Sequence, residues 1–350
     1  MNFFAAQEKA RSNTLRLLLL FCLAVVGLIL TCYILIGVVL SFDAETGSPG
    51  LRIDWELLVG TALIVLAVVM VGSVYKILTL RGGGKVVAEA MGGTALSPDT
   101  QDRVHRRALN VVEEIAIASG TPVPQVYIIP ESGINAFAAG YSPGDAVIGL
   151  TEGTLSHLDR AELQGVVAHE FSHILNGDMR LNIRIMGVLH GILLIALIGR
   201  VLMLVRGRNA GPFILSGLGL FVAGWIGFLF GGLIKSGISR QREYLADASA
   251  VQFTRNPDGI AGALQKIGIS SGQLQHPDAE QISHSLFADG ALRGFWSFAT
   301  HPPLDKRIRR IDPQWDGVFR EQLETTSPVS YTHLRAHETR HDLVCRLLLE

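Results

Sequence analysis

The chain has only three cysteines in 350 residues and no Cys-x-x-Cys pair. That excludes a disulfide framework and a zinc site built on cysteine thiolates. Charge is scarce as well. Charged residues make up 17% of the chain, against about a quarter in an ordinary soluble domain. Neither sign dominates, with 30 basic and 31 acidic residues, which argues against a general nucleic-acid binder. The 38 glycines and 13 prolines follow no triplet period, so the chain is not collagen-like. Apolar residues are abundant, at 49% of the chain, and the mean hydropathy is +0.35. Such a chain is too apolar to stay disordered. The length suggests two domains, and the long apolar runs make one folded domain plus a membrane part the better reading.

Residues 17–40 carry no charge, and about 20 apolar residues span a bilayer core as a helix. The core of a signal peptide is shorter, about 7–15 residues, and ends at a small-residue cleavage site that this run lacks. The run reads as an uncleaved anchor, and residues 57–75 form a second one. Lys9, Arg11 and Arg16 precede the first run, and Lys76, Arg81 and Lys85 follow the second. The loop between them is acidic, with Asp43, Glu45, Asp54 and Glu56 against Arg52. The positive-inside tendency then puts both ends of this hairpin in the cytoplasm. A second apolar hairpin covers 185–235. Residues 185–199 are apolar apart from His190, and 212–234 are uncharged. Gly219, Ala223, Gly227 and Gly231 recur every four residues and form a face that allows close helix contact. Length favours spanning here too, although Arg206 and Arg208 in the connecting loop run against the charge tendency.

Residues 99–119 have helical apolar spacing that ends at Gly120 and Pro122. Residues 125–129 and 145–150 read as strands. Gly82 to Gly84 before Lys85 lack the spacing of a phosphate loop and read as a flexible linker. Asp159 with Glu162 makes a capping box. The helix it opens stops at Asn176-Gly177.

That helix carries His169-Glu170-Phe171-Ser172-His173. Residues four apart share one helix face, about 6 Å apart at Cβ, so both imidazoles can reach one zinc ion. Glu170 is turned away by about 100°. It cannot easily share the metal, but it can serve as the general base beside it. A catalytic zinc needs a third protein ligand. Glu243 and Asp247 are again four apart. Glu243 can be that ligand, with Asp247 accepting the N–H of a ligating histidine. A solvated face of Arg–Glu pairs fits the same spacing, and the upstream motif favours the metal reading.

These motifs, with Asn135-Ala136-Phe137-Ala138, Asn176-Gly177-Asp178, His301-Pro302-Pro303 and Arg307-Ile308, resemble the membrane zinc metalloproteases of the HtpX and Ste24 type. The resemblance covers roughly residues 15–312, and the two hairpins resemble the HtpX layout in particular. It implies one zinc ion per chain, held by His169, His173 and Glu243. It also implies Glu170 as the catalytic base and Asp247 as the carboxylate behind a ligating histidine. By the same resemblance Arg307 stabilises the tetrahedral intermediate, and His301 sits near the metal and gates it. A turn or N-cap role for His301 before the two prolines stands as the alternative. Asn135, Ala136 and Phe137 are implied in substrate binding, and the 145–150 strand as the edge on which a substrate backbone pairs.

Of the other histidines, His105 and His157 read as surface residues, His276 and His284 as loop residues, and His190 as an interhelical hydrogen-bonding group. Residues 329–350 look like translated adapter sequence, and the native C-terminus is expected to be missing. His333, His337 and His341 are set aside with them.

The expectation is an α+β multi-pass α-helical membrane protein with a cytoplasmic zincin-like metalloprotease domain, in the cell inner membrane. The divisions are an N-terminal transmembrane hairpin (1–79), a zincin-like part with the HExxH helix (80–184), the second hairpin (185–235), a part with the third ligand (236–320) and the non-native tail (329–350). The expected function is zinc-dependent hydrolysis of peptide bonds, serving stress-linked quality control of misfolded membrane proteins. Its partners are protein or peptide substrates and the lipid bilayer, with no nucleic acid. The alternative is a non-catalytic membrane scaffold with a structural zinc. A metal transporter is disfavoured because the HExxH lies outside the apolar runs.

Overall fold

The computed structural model describes residues 3–40, 54–79, 83–207, 210–269 and 301–319. Calls on His276, His284 and the 329–350 tail lie outside the described residues. Among the described residues, four helices are long and apolar enough to cross a membrane. They are α1 (Phe3–Leu40), α2 (Trp55–Thr79), α7 (Asp178–Leu202) and α8 (Gly211–Thr254).

Small residues let these helices pack. A Cβ on Gly191 of α7 would overlap the Val69 backbone of α2, and one on Gly224 of α8 would overlap Ala196 of α7. On α8, Gly219 and Gly227 face Leu35 and Leu28 of α1. The four-residue spacing read from the sequence therefore lies against neighbouring helices. At 1.5 Å per residue, α8 is about 66 Å long, roughly twice the bilayer core. It runs out of the bundle as one rod and delivers Glu243 and Asp247 to the folded domain. The boundaries drawn at 184/185 and 235/236 fall inside α7 and α8.

The domain outside the bundle pairs a small sheet with α3 (Gly83–Ala90), α4 (Arg103–Ser119), α5 (Glu152–His157), α6 (Arg160–Asn176), α9 (Pro257–Ile269) and α10 (Leu304–Ile311). The strands are β1 (Thr94–Ala95), β2 (Gln125–Ile129), β3 (Ala136–Ala139) and β4 (Val147–Thr151), in the order β1-β2-β4-β3. β2 and β4 run parallel, while β1 and β3 pair antiparallel at the two ends. Both sheet faces are covered, so β2, β3 and β4 are buried almost throughout, while the two residues of β1 are exposed. Val126 and Ile128 enter the main core with α4, α6 and α9. Tyr127 and Ile129 enter a smaller cluster with Ala88 and Met91 around α3.

Two expectations change. Of the glycines read as a flexible linker, Gly83 and Gly84 open α3, and Gly82 lies outside the described residues. Gly84 is glycine because a Cβ there would strike the Ala139 and Asp145 carbonyls. The strand read at 145–150 is interior, hydrogen-bonded on both sides, and the edge is β3. The alternation in a short apolar strand marks its faces and says nothing of its neighbours.

α6 forms where its local signals put it. Asp159 accepts from the Glu162 backbone N–H, and Glu162 returns the bond to the Asp159 N–H, closing the capping box. Gly177 ends the helix at φ 67°, a left-handed backbone that glycine adopts without a Cβ penalty. The chain turns there and starts α7 at Asp178.

Candidate metal centre

α6 brings His169 and His173 to the flank of α8, where Glu243 projects between them. His169 and Glu243 are buried and His173 is half-buried. Their ligand atoms lie within 4.8 Å of one another. The two Nε2 atoms are 3.1 Å apart. Glu243 Oε2 is 3.5 Å from His169 Nε2, and Oε1 is 3.4 Å from His173 Nε2. Donors placed about 2.0–2.1 Å from one tetrahedral zinc ion stand about 3.3–3.4 Å from each other. Nitrogen and oxygen donors with those separations fit the metal and leave one tetrahedral position for another group.

The far nitrogen of each imidazole meets a carboxylate. His169 Nδ1 is 3.0 Å from Asp247 Oδ1, and His173 Nδ1 is 2.8 Å from Asp178 Oδ2. A proton held at Nδ1 leaves the Nε2 lone pair facing the other donors. Burial pulls the His173 pKa down, but its bonds to Asp178 and Glu243 outweigh burial and raise it well above the ordinary value. Arg242 pairs with Asp178 and donates to the Asn176 carbonyl at 3.0 Å. It thereby ties α8 to the α6–α7 corner.

Arg307 of α10 is fully buried and forks onto Asp247, Nε to Oδ2 at 3.0 Å and Nη2 to Oδ1 at 2.7 Å. Its Nη1 is 3.3 Å from Glu243 Oε2. Burial lowers its pKa, and the Asp247 and Glu243 carboxylates more than restore it, so it stays charged. This is the geometry of a clamp on two carboxylates. His301 Nδ1 is 2.9 Å from Glu243 Oε2, while α10 is capped at Pro303 without a side-chain bond. The imidazole therefore faces the centre and does not cap the helix.

Glu170 is 1% exposed, and neither carboxylate oxygen has a hydrogen-bond partner among the described residues. Burial raises its pKa, and the adjacent histidines offset only part of that rise. An unsatisfied buried carboxyl is costly. Here it stands beside a metal-donor set, where a reacting water would use it.

The edge strand completes the site. Ala138 of β3 borders a small cavity with His173, Arg242 and Glu243. Among the residues expected to bind substrate, Asn135 lies just before the edge strand and Ala136 opens it. Asn135 ties it to Thr151 and Thr154 through its backbone N–H. The Phe137 side chain packs under the sheet against Gly149. Sequence reasoning assigned no role to Asp178 or Arg242. A carboxylate five residues past His173, just beyond a helix-ending glycine, was the available signal.

The fold and donor set define a membrane-bound metalloprotease. Residues 98–314 match the profile of Peptidase family M48, and the chain belongs to that family. It is 36% identical over 270 residues to the "Protease HtpX homolog" of Thermoanaerobacter pseudethanolicus, covering 74% of this chain and 85% of that one. It is 34% identical over 285 residues to the "Protease HtpX homolog" of Ligilactobacillus salivarius, covering 79% and 94%. The crystal structure of S. mikatae Ste24p aligns at 20% identity and a TM-score of 0.48, covering 87% of this chain and 67% of that one.

Proposed function

We propose that the chain is a zinc-dependent endopeptidase whose ligands are His169, His173 and Glu243. The observation that carries this reading is the buried Glu170 carboxylate, without a hydrogen-bond partner among the described residues, beside three donors at zinc spacing. A structural zinc scaffold has no use for such a group. Zinc, when bound, supplies a Lewis acid that polarises the scissile carbonyl and acidifies water.

The chain's own residues do the rest. A substrate strand pairs with the β3 edge beside Ala138 and is held extended across the centre. Glu170 takes a proton from the attacking water at a carboxylate oxygen and passes it to the leaving amine. Its raised pKa brings it closer to the working pH, which suits both halves of that transfer. Asp247 and Asp178 hold the two histidines in the Nδ1–H tautomer, and Arg307 fixes Asp247 in turn. His301 faces the centre through Glu243 and can meet a group entering it.

α1 begins beside the domain, since Gln7 donates to Ser249 and Gln252 of α8. The domain therefore lies on the side of Lys9, Arg11 and Arg16, which the positive-inside tendency makes cytoplasmic. We place it in the cell inner membrane and divide it as a hairpin (1–79), a second hairpin (185–235) and two flanking domain segments. Its relatives are HtpX homologues, and the expected substrates are misfolded membrane proteins in quality control.

The test is casein cleavage by the detergent-purified chain, with and without chelator, beside Glu170→Gln. The parent should cleave, chelator should stop it and zinc should restore it. Glu170→Gln should keep its zinc and lose about 10²–10⁴-fold in rate. Equal rates in two zinc-loaded proteins would end the protease reading and leave the scaffold.

A further inference from the structure

A second cavity, of about 240 Å³, lies away from the substrate edge, where α1, α8 and α10 meet. It is walled by Lys9, Asn13, Gln241, Tyr244, Asp247 and Arg310. We propose that it binds the phosphate-bearing headgroup of an anionic lipid. The proposal rests on the membrane placement of α1 and α8 and is independent of the peptide chemistry.

Charge comes first. Lys9 and Arg310 have no ion-pair partner among the described residues. The Arg310 guanidinium carbon lies over the Tyr244 ring, 3.5 Å from its centroid, a contact that holds the group without neutralising it. The one carboxylate in the wall, Asp247, already has both oxygens on Arg307 and faces His169. The cavity is therefore net positive. Asn13 and Gln241, joined at 3.0 Å, add neutral amide groups that can donate to a phosphate oxygen.

Depth comes second. Leu17 begins the uncharged run of α1 and packs at the level of Gly237 on α8. With 1.5 Å of rise per residue, Asn13 lies about 6 Å and Lys9 about 12 Å beyond that level. Headgroups occupy roughly 5–8 Å on each side of the hydrocarbon core. The Asn13 end of the cavity thus lies in the headgroup layer, and Lys9, one turn beyond it, can extend its four-carbon stem back toward a phosphate there. At about 240 Å³ the cavity is smaller than the roughly 300–1,000 Å³ of a drug-sized site. That size suits one headgroup, with the acyl chains left in the bilayer.

The test is calorimetric titration of the full chain in neutral detergent with short-chain phosphatidylglycerol. Parallel arms use short-chain phosphatidylcholine and inorganic phosphate. The expected result is one saturable site for phosphatidylglycerol, with the other two probes at least tenfold weaker. Lys9→Gln and Arg310→Gln should each weaken it about fivefold, while Lys9→Arg restores binding. Arg11→Gln, exposed on the same helix but outside the cavity, should change it less than twofold. Unchanged metal content in every variant would show that the fold is intact. Equal binding by the Lys9→Gln, Arg310→Gln double variant would overturn the proposal. So would an equal loss in Arg11→Gln, which would mean diffuse surface attraction. Inorganic phosphate binding as tightly as the lipid would replace the lipid with a free anion.

Discussion

Replacing Asp178 by Asn tests whether the carboxylate behind His173 matters as much as the one behind His169. Asp178 is 5% exposed, accepts from His173 Nδ1 at 2.8 Å and pairs with Arg242. The amide keeps the shape and one acceptor but removes the charge. Two charge-assisted contacts are weakened, and the Arg242 charge loses its counter-ion in a largely buried setting. Hydrogen bonds to charged groups contribute about 1.5–3 kcal/mol, and about 1.4 kcal/mol is tenfold, so zinc affinity should fall about 10–100-fold. Outer carboxylates of metal sites show losses of that order. The assay is zinc competition against a chromophoric chelator, read beside casein cleavage at saturating zinc. Asp247→Asn acts on a different histidine and a different arginine, but both histidines contact Glu243, so the double variant should depart from the product of the single losses. Zinc affinity within twofold of the parent in Asp178→Asn would refute the reasoning. Arg242→Gln should give a smaller loss, because it leaves the His173–Asp178 bond in place.

Other expectations follow from the same geometry. Gly149→Ala would push a methyl into the Phe137 ring and should cost about 1–3 kcal/mol; an unchanged thermal unfolding curve would contradict that packing. Asp159→Ala removes half of the capping box that opens the HExxH helix and should cost about 1 kcal/mol, seen as a lower unfolding midpoint with zinc content retained. His173 has a raised pKa in the metal-free protein, so its proton persists to higher pH and zinc must displace it. Apparent zinc affinity should therefore rise with pH and fall toward acid, about tenfold per unit while one proton is exchanged. A flat profile between about pH 5 and 8 would contradict the His173–Asp178–Glu243 arrangement.

The short-range features were legible. The capping box at Asp159, the glycine stop at 177 and the strand at 125–129 depend on neighbours a few residues away, and they appear where the pattern put them. The four apolar runs were legible too, because a bilayer demands length and little else. What misled was silence about partners. Gly82 to Gly84 looked like a linker because glycine is a weak helix former. Gly84 is there for close approach to the β3–β4 turn, and that contact exists only in the folded chain. The motif singled out Phe137, and the folded chain adds that its ring fills the space that Gly149 leaves open.

By itself the sequence determined the membrane runs, the HExxH helix and the four-residue pairing of Glu243 with Asp247. Each follows from the helical repeat or from the length of apolar segments. Tertiary structure decided that α8 crosses from bundle to domain as one rod and sets Glu243 against His169 and His173. It decided that β3 is the edge, since strand order depends on which faces are covered. It also brought His301 and Arg307 onto Glu243 and Asp247, and put Asp178 behind His173 through the turn at Gly177. These contacts join residues far apart in sequence, and packing fixes them where local propensity has no reach.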